Sequence, residues 1–250
     1  MGKTHEALKW AEKEHQLNRP ETLPESLPAA ERTKPPMRAR TGPAMERYED
    51  LKANILARYS HGSIKTFLFT GVARGDGTST TAVNFATALA KDYRFNVLLI
   101  DANLRSPSLH SIFRIDHVHG LSACVTKGSR GAPPIKVGPG NLYVIPYGRN
   151  HSEPVVLFES DGFDQLLKKM RDSYDFVVLD APPVHTFPEC RVLCTKVDGV
   201  VLVIESGKTQ RPVALSAKKQ LEATGGKLLG VVLNKKRQYI PDFLYRWVYG

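Results

Sequence analysis

The chain has 250 residues, 42% of them hydrophobic, which suits one α/β domain with an added arm or tail. Its formal net charge of +10 is spread rather than blocked, which fits acidic partners such as phosphates or anionic lipid, and no nucleic acid is expected as a partner. Three cysteines (Cys124, Cys190, Cys194) exclude a disulfide framework, and no run approaches the roughly 20 apolar residues of a membrane span.

Residues 1–18 hold one short helix over 4–16, where Thr4 can cap it and Ala7, Leu8 and Ala11 share a face. Residues 19–43 carry Pro20, Pro24, Pro28, Pro35, Pro36 and Pro43 with little apolar content, the composition of a flexible linker. The amino terminus shows no apolar stretch of signal-peptide type, and Glu6 stands where a myristoylation signal wants Ser or Thr. A cytoplasmic protein is expected, peripheral at most at the inner face of the plasma membrane.

The main domain spans 44–238. A helix over Ala44–Tyr59 leads in through Leu51, Ile55 and Leu56. Strands are then predicted at Thr66–Thr70, Val97–Asp101, Leu142–Pro146, Phe176–Asp180, Val200–Ile204 and Leu228–Leu233. Helices are predicted at Thr78–Lys91, Glu153–Phe158, Asp161–Ser173, Glu189–Thr195 and Arg211–Thr224. The strands are continuously apolar, as when both sheet faces are covered. Their alternation with helices predicts an α/β fold: a mostly parallel sheet with helices on both faces. His110, His117 and His119 fall in a loop-rich stretch without ligand spacing, so no histidine–metal site is expected; Cys190 and Cys194 are expected to be buried packing.

Residues 70 to 81 read Thr-Gly-Val-Ala-Arg-Gly-Asp-Gly-Thr-Ser-Thr-Thr, between an apolar strand and a helix. That is the setting of a phosphate-binding P-loop, but Thr78 stands where the motif carries lysine. Backbone amides of such a loop and of the following helix favour phosphate oxygens. Ser79 holds the place of the hydroxyl that ligates magnesium. Asp101 and Asp180 each end a predicted strand, where ligands of such sheets sit, and can complete a Mg²⁺ shell directly or through water.

The loop, the segment Leu99-Ile100-Asp101-Ala102-Asn103-Leu104-Arg105-Ser106-Pro107, and Val178-Leu179-Asp180-Ala181-Pro182-Pro183 together resemble the bacterial tyrosine kinases of exopolysaccharide synthesis. These belong to the P-loop superfamily of the Min and Par positioning ATPases. Further matches are Ile145-Pro146-Tyr147-Gly148 with Pro154, and Gly230-Val231-Val232-Leu233-Asn234; the likeness covers about residues 44 to 250. It implies ATP and Mg²⁺ as cofactors, with Gly75 to Thr80 as Walker A, Asp101 in the Walker A′ motif and Asp180 as the Walker B aspartate. Nucleotide contacts are expected from Arg74, Gly75, Asp76, Gly77, Thr78, Ser79 and Thr80. Asn234 is expected near the adenine by the same resemblance.

It further implies autophosphorylation of carboxyl-terminal tyrosines and activation by the cytoplasmic segment of a membrane polysaccharide co-polymerase, with a homo-oligomer as an expected assembly. Tyr239, Tyr245 and Tyr249 in the tail 239–250 are the phosphoacceptor candidates. Ile240, Phe243, Leu244, Trp247 and Val248 give the same tail a helically spaced apolar face, which fits packing or docking, and its basic residues fit membrane contact.

Three features depart from the family pattern. Thr78 replaces the Walker A lysine, and Asn103 replaces the second Walker A′ aspartate, which is implied to help deprotonate the attacking tyrosine. Glu46-x-x-Glu49-x-x-Lys52 replaces the assembly motif Glu-x-x-Arg-x-x-Arg. Arg74 or Arg105 could substitute for the missing cation. The expected function is an autophosphorylating tyrosine kinase; the alternatives are a catalytically impaired, nucleotide-responsive adaptor and a Min- or Par-like positioning ATPase.

Overall fold

The computed structural model describes residues 43–59, 64–91, 93–127, 133–148 and 153–236. The expected helix at 4–16, the linker up to residue 42 and the tyrosine tail lie outside the described residues. The elements in chain order are α1 (Pro43–Arg58), β1 (Thr66–Gly71), α2 (Thr78–Ala90), β2 (Val97–Asp101), α3 (Leu109–Phe113) and α4 (Leu121–Lys127). They continue with β3 (Ile135–Val137), β4 (Leu142–Ile145), α5 (Pro154–Glu159), α6 (Asp161–Ser173), β5 (Phe176–Asp180), α7 (Pro188–Lys196), β6 (Gly199–Glu205), α8 (Arg211–Ala223) and β7 (Leu228–Asn234).

These strands form one seven-stranded sheet in the order β3-β4-β2-β5-β1-β6-β7. Every neighbouring pair is parallel except β3 with β4. The central strands are buried along their whole length because both faces are covered. Successive side chains point to opposite faces. Leu68, Leu98, Val177, Leu179 and Leu202 enter a core with residues of α4 to α8, while Phe67, Phe69, Leu99, Val178 and Val203 enter another with α1, α2 and α3. Phe85 of α2 packs edge-on against Phe67, with ring centroids 5.4 Å apart.

The six expected strands are all present, within two residues at each end. Three elements were not expected: β3, α3 and α4. The stretch read as loop-rich therefore contains two short helices, and the rings of His110 and His117 stand 4.3 Å apart there. Cys190 and Cys194 are buried as expected, with the Cys190 thiol 3.2 Å from Thr70 Oγ1.

The amino ends of the strands are closed by a satisfied carboxylate. Asp198 Oδ2 accepts hydrogen bonds from the Lys65 and Thr66 amides and the Thr66 hydroxyl, and Oδ1 pairs with Arg171 at 2.8 Å. Burial alone would raise its pKa, but those bonds and the Arg171 charge hold it below the usual carboxylate range.

Candidate functional site

The opposite edge of the sheet, at the carboxyl ends of β1, β2 and β5, carries the chemistry. These three strands are adjacent, so the glycine loop after β1 and the aspartates ending β2 and β5 are brought together by topology. Asp101 and Asp180 stand side by side in register, and Asp180 also faces Phe69 of β1. Beyond the strands, the Ala102 amide donates to Asp180 O and the Ala181 amide to Phe69 O, which fixes the connecting turns.

The loop is folded around its own aspartate. Asp76 is buried, and its Oδ2 accepts from the Val72 and Ala73 amides at 2.9 and 2.8 Å. Gly77 sits at φ 88°, in the left-handed region where a side chain is strained. A Cβ there would also lie 2.1 Å from Asn234 Nδ2, so Gly77 is required twice over. Asn234 uses that nitrogen to donate to the Asp76 carbonyl at 2.8 Å, clamping the loop from the end of β7. α2 starts directly after Gly77, and its first-turn amides lack helical partners, as at any helix start. They and the helix dipole make this end of α2 attractive to anions.

Thr78 takes the lysine's place without taking its role. A Cβ added at Gly71 would lie 2.7 Å from Thr78 Oγ1, so this hydroxyl lies against the base of the loop.

The two strand-end aspartates are the decisive electrostatic feature. Both are fully buried. Asp101 Oδ2 accepts from the Ser108 and Leu109 amides at 3.0 Å each, but its Oδ1 has no hydrogen-bond partner among the described residues. Neither oxygen of Asp180 has one. Burial pushes the Asp101 pKa up to about 6, against the lowering pull of those amides. Burial and then the neighbouring Asp101 charge raise Asp180 well above the usual range. The Ser79 hydroxyl pulls the other way, without closing a hydrogen bond of ordinary geometry. Such an uncompensated pair is costly. A hard divalent cation is what three unpaired carboxylate oxygens and a nearby hydroxyl fit.

A cleft of about 420 Å³ opens over this cradle. Among the predicted residues, Arg74, Gly75, Gly77, Thr78, Ser79 and Thr80 line it, together with Asn103, Ser106, Ser108, Pro183 and Phe187. Asp76 lies beneath it, tying the loop. A smaller recess of about 160 Å³ between α1 and β7 is faced by no glycine loop or buried carboxylate.

The arginines behave differently from one another. Arg105 Nε donates to the buried Glu189 at 2.9 Å, and its NH2 pairs with Glu153 at 3.3 Å, so two carboxylates already engage it. Arg74 is exposed on the loop. Both guanidinium groups lie over the Phe187 ring, 5.6 and 5.7 Å from its centroid. On α1, Glu49 pairs with Lys52 and Lys91, and Lys52 Nζ donates to Ala88 O of α2.

Sequence reasoning missed Lys235 and Phe187. Lys235 follows Asn234, and its Nζ donates to the Gly75 carbonyl at 2.6 Å while pairing with Glu205 at 3.2 Å. The only available signal was its position next to a strand-end asparagine.

No family model matches the chain. It is 33% identical over 193 residues to the tyrosine-protein kinase YwqD of Bacillus subtilis, covering 77% of this chain and 81% of that protein. The chain belongs to the bacterial tyrosine-protein kinase family. CpsD of Streptococcus pneumoniae, also named a tyrosine-protein kinase, is 30% identical over 196 residues, covering 77% of this chain and 84% of CpsD. Among solved structures, the chimerical protein CapA2B2 matches this kinase-family chain with a TM-score of 0.74 and 29% identity, over 79% of this chain and 87% of that one. MinD of Pyrococcus horikoshii, solved with Mg-ADP, matches at TM-score 0.56 and 20% identity over 74% and 76%; this likeness concerns the P-loop fold alone.

Proposed function

We propose that this member of the tyrosine-kinase family holds ATP and Mg²⁺ in the cleft and transfers phosphate to tyrosines of its own tail, Tyr239, Tyr245 or Tyr249, in the service of exopolysaccharide assembly. The observation that carries the reading is the pair of buried, in-register carboxylates with unpaired oxygens beside a cradle of backbone amides. Asp101, Asp180 and Ser79 would hold the cation, which supplies charge neutralisation on the phosphates. The amides from Gly75 to Thr80 bind and orient the phosphate chain, and the loop geometry fixed by Asp76 and Asn234 preorganises them.

The partner in this reading is the cytoplasmic segment of a membrane polysaccharide co-polymerase, supported by the likeness to the chimerical CapA2B2. It places the chain peripherally at the inner face of the membrane; among the described residues no helix is long and apolar enough to cross one. A homo-oligomer belongs to the same reading.

A second reading has specific support: a nucleotide-responsive adaptor with impaired phosphotransfer. Thr78 offers no cation to the transition state, and Asn103, which lines the cleft, has no basic atom to take the tyrosine proton. Losing a preorganised charge costs on the order of 10²–10³-fold in rate, while a lost hydrogen bond to phosphate costs about one to two decades in affinity. Binding survives more easily than turnover.

One experiment tests both: the purified full chain with radiolabelled ATP and Mg²⁺, with and without the co-polymerase segment. Label on tail tyrosines, abolished by Asp180→Ala, supports the kinase. Measurable ATP binding without label leaves the adaptor. Absence of binding removes both.

A further inference from the structure

Among the described residues, two cations line the cleft, Arg74 and Lys235. Arg74 is exposed and lies over Phe187. Lys235 alone of the two is bonded to the loop itself, through Nζ to the Gly75 carbonyl at 2.6 Å. Its stem passes beside position 77, where a Cβ on Gly77 would lie 3.9 Å from Lys235 Cε. Thus the ammonium reaches the loop next to the position from which the motif lysine is missing.

The backbone is arranged to send it there. β7 runs to Asn234 in register with Glu205. Lys235 then turns into the left-handed region at φ 54°, an uncommon conformation for a residue with a side chain. The turn is held by the Asn234 side chain, whose Oδ1 accepts from the Lys235 amide at 2.9 Å while its Nδ2 clamps Asp76 O. One asparagine therefore positions both the loop and the lysine.

We propose that Lys235 supplies from the end of the last strand the phosphate-binding cation that the loop has lost at Thr78, an inference that rests on the nucleotide reading of the cleft. The present partners of Nζ, a neutral carbonyl and the half-buried Glu205 that Lys208 shares, are weaker attractions than the oxygens of a triphosphate. Lysine suits the exchange, being a compact charge on a flexible four-carbon stem with rotatable donors. Arg105 is unsuited because Glu189 and Glu153 already engage it. The engaged state brings the ammonium to the outer phosphates and leaves Glu205 to its other partner, Lys208, at 3.3 Å.

The test measures Mg²⁺–ATP and AMP binding to the full chain by titration, for wild type, Lys235→Ala, Lys235→Arg and the double variant Lys235→Ala/Thr78→Lys. Lys235→Ala is expected to weaken ATP about 10- to 100-fold and to leave AMP unchanged. Lys235→Arg retains most of the affinity, and Thr78→Lys in the double variant restores it. Equal losses for ATP and AMP, or no rescue by Thr78→Lys in a variant of native melting temperature, mean that Lys235 only props the loop, and overturn the proposal. So does wild-type ATP affinity in Lys235→Ala. If Asp180→Ala still weakens ATP in that case, the nucleotide reading stands and only the role of Lys235 falls. Absence of ATP binding by wild type overturns both.

Discussion

Two aspartates close the opposite ends of one sheet, and their surroundings could hardly differ more. Asp198 spends its oxygens on two amides, a hydroxyl and Arg171. Asp180 is fully buried next to Asp101 and has no hydrogen-bond partner among the described residues. The first carboxylate serves the fold, because removing it would orphan two backbone donors. The second costs the fold, because a desolvated charge with a like charge beside it is destabilising until a cation arrives. A charged group kept at a net cost marks function better than one kept for a gain.

The largest expected effect comes from Asp180. Asp180→Ala should reduce Mg²⁺-dependent ATP binding or phosphotransfer by at least about 10²-fold while raising stability by ~1–3 kcal/mol. Calorimetry on the same sample decides this: a variant that loses both nucleotide binding and stability would falsify the contrast. Asp198→Ala should do the reverse. It should cost about 1–3 kcal/mol in denaturant unfolding and leave ATP affinity within twofold or so of wild type.

Two glycines sharpen the picture within the loop. Gly77→Ala meets the left-handed penalty of ~1–2 kcal/mol and also drives into Asn234, whereas Gly75→Ala at φ 90° meets open space. Both should lose stability, but Gly77→Ala should lose more, and it alone should weaken ATP through the displaced clamp. Equal ATP affinities in the two variants would show that the Asn234 contact is irrelevant to the loop.

The smallest effects are in the pH dependence of the ligand-free protein. Asp101 has a native pKa of about 6 against 3.8 for an ordinary carboxyl, so between these values the native state binds more protons than the unfolded chain. Stability from this group therefore falls as pH rises through that window. Asp198 has the opposite sign: its folded pKa is lowered, so its contribution is present above the unfolded value and is lost as pH falls through the folded one. Denaturant midpoints against pH should show Asp101→Asn flattening the upper limb and Asp198→Asn the lower. A common limb for both variants would contradict the assignment.

Much of this was legible in the residues. The central strands announce themselves as uninterrupted apolar runs, because burial on both faces leaves no alternation to misread. β3 escaped notice for the opposite reason: three residues long, antiparallel and at the sheet edge, it carries one buried side chain, Val137. The glycine loop and the strand-end Asp101 and Asp180 could be paired with a ligand from spacing and chemistry. Their register, and the lack of partners that makes Asp180 so telling, are properties of packing. Lys235 was invisible because it reaches Gly75 across 160 residues of sequence, and no local pattern encodes such an approach.

The clamp between Asn234 and Asp76 joins residues 158 apart in a chain that is made from its amino end. β1, the glycine loop and α2 leave the ribosome well before β7 has been synthesised. Contacts of such span close late, since the loop-closure entropy must be met first. A nascent polypeptide halted before residue 234 thus carries every glycine of the motif and the local Asp76 tie, but not the clamp from β7. Full preorganisation of the loop for its ligand therefore waits for the synthesis of β7.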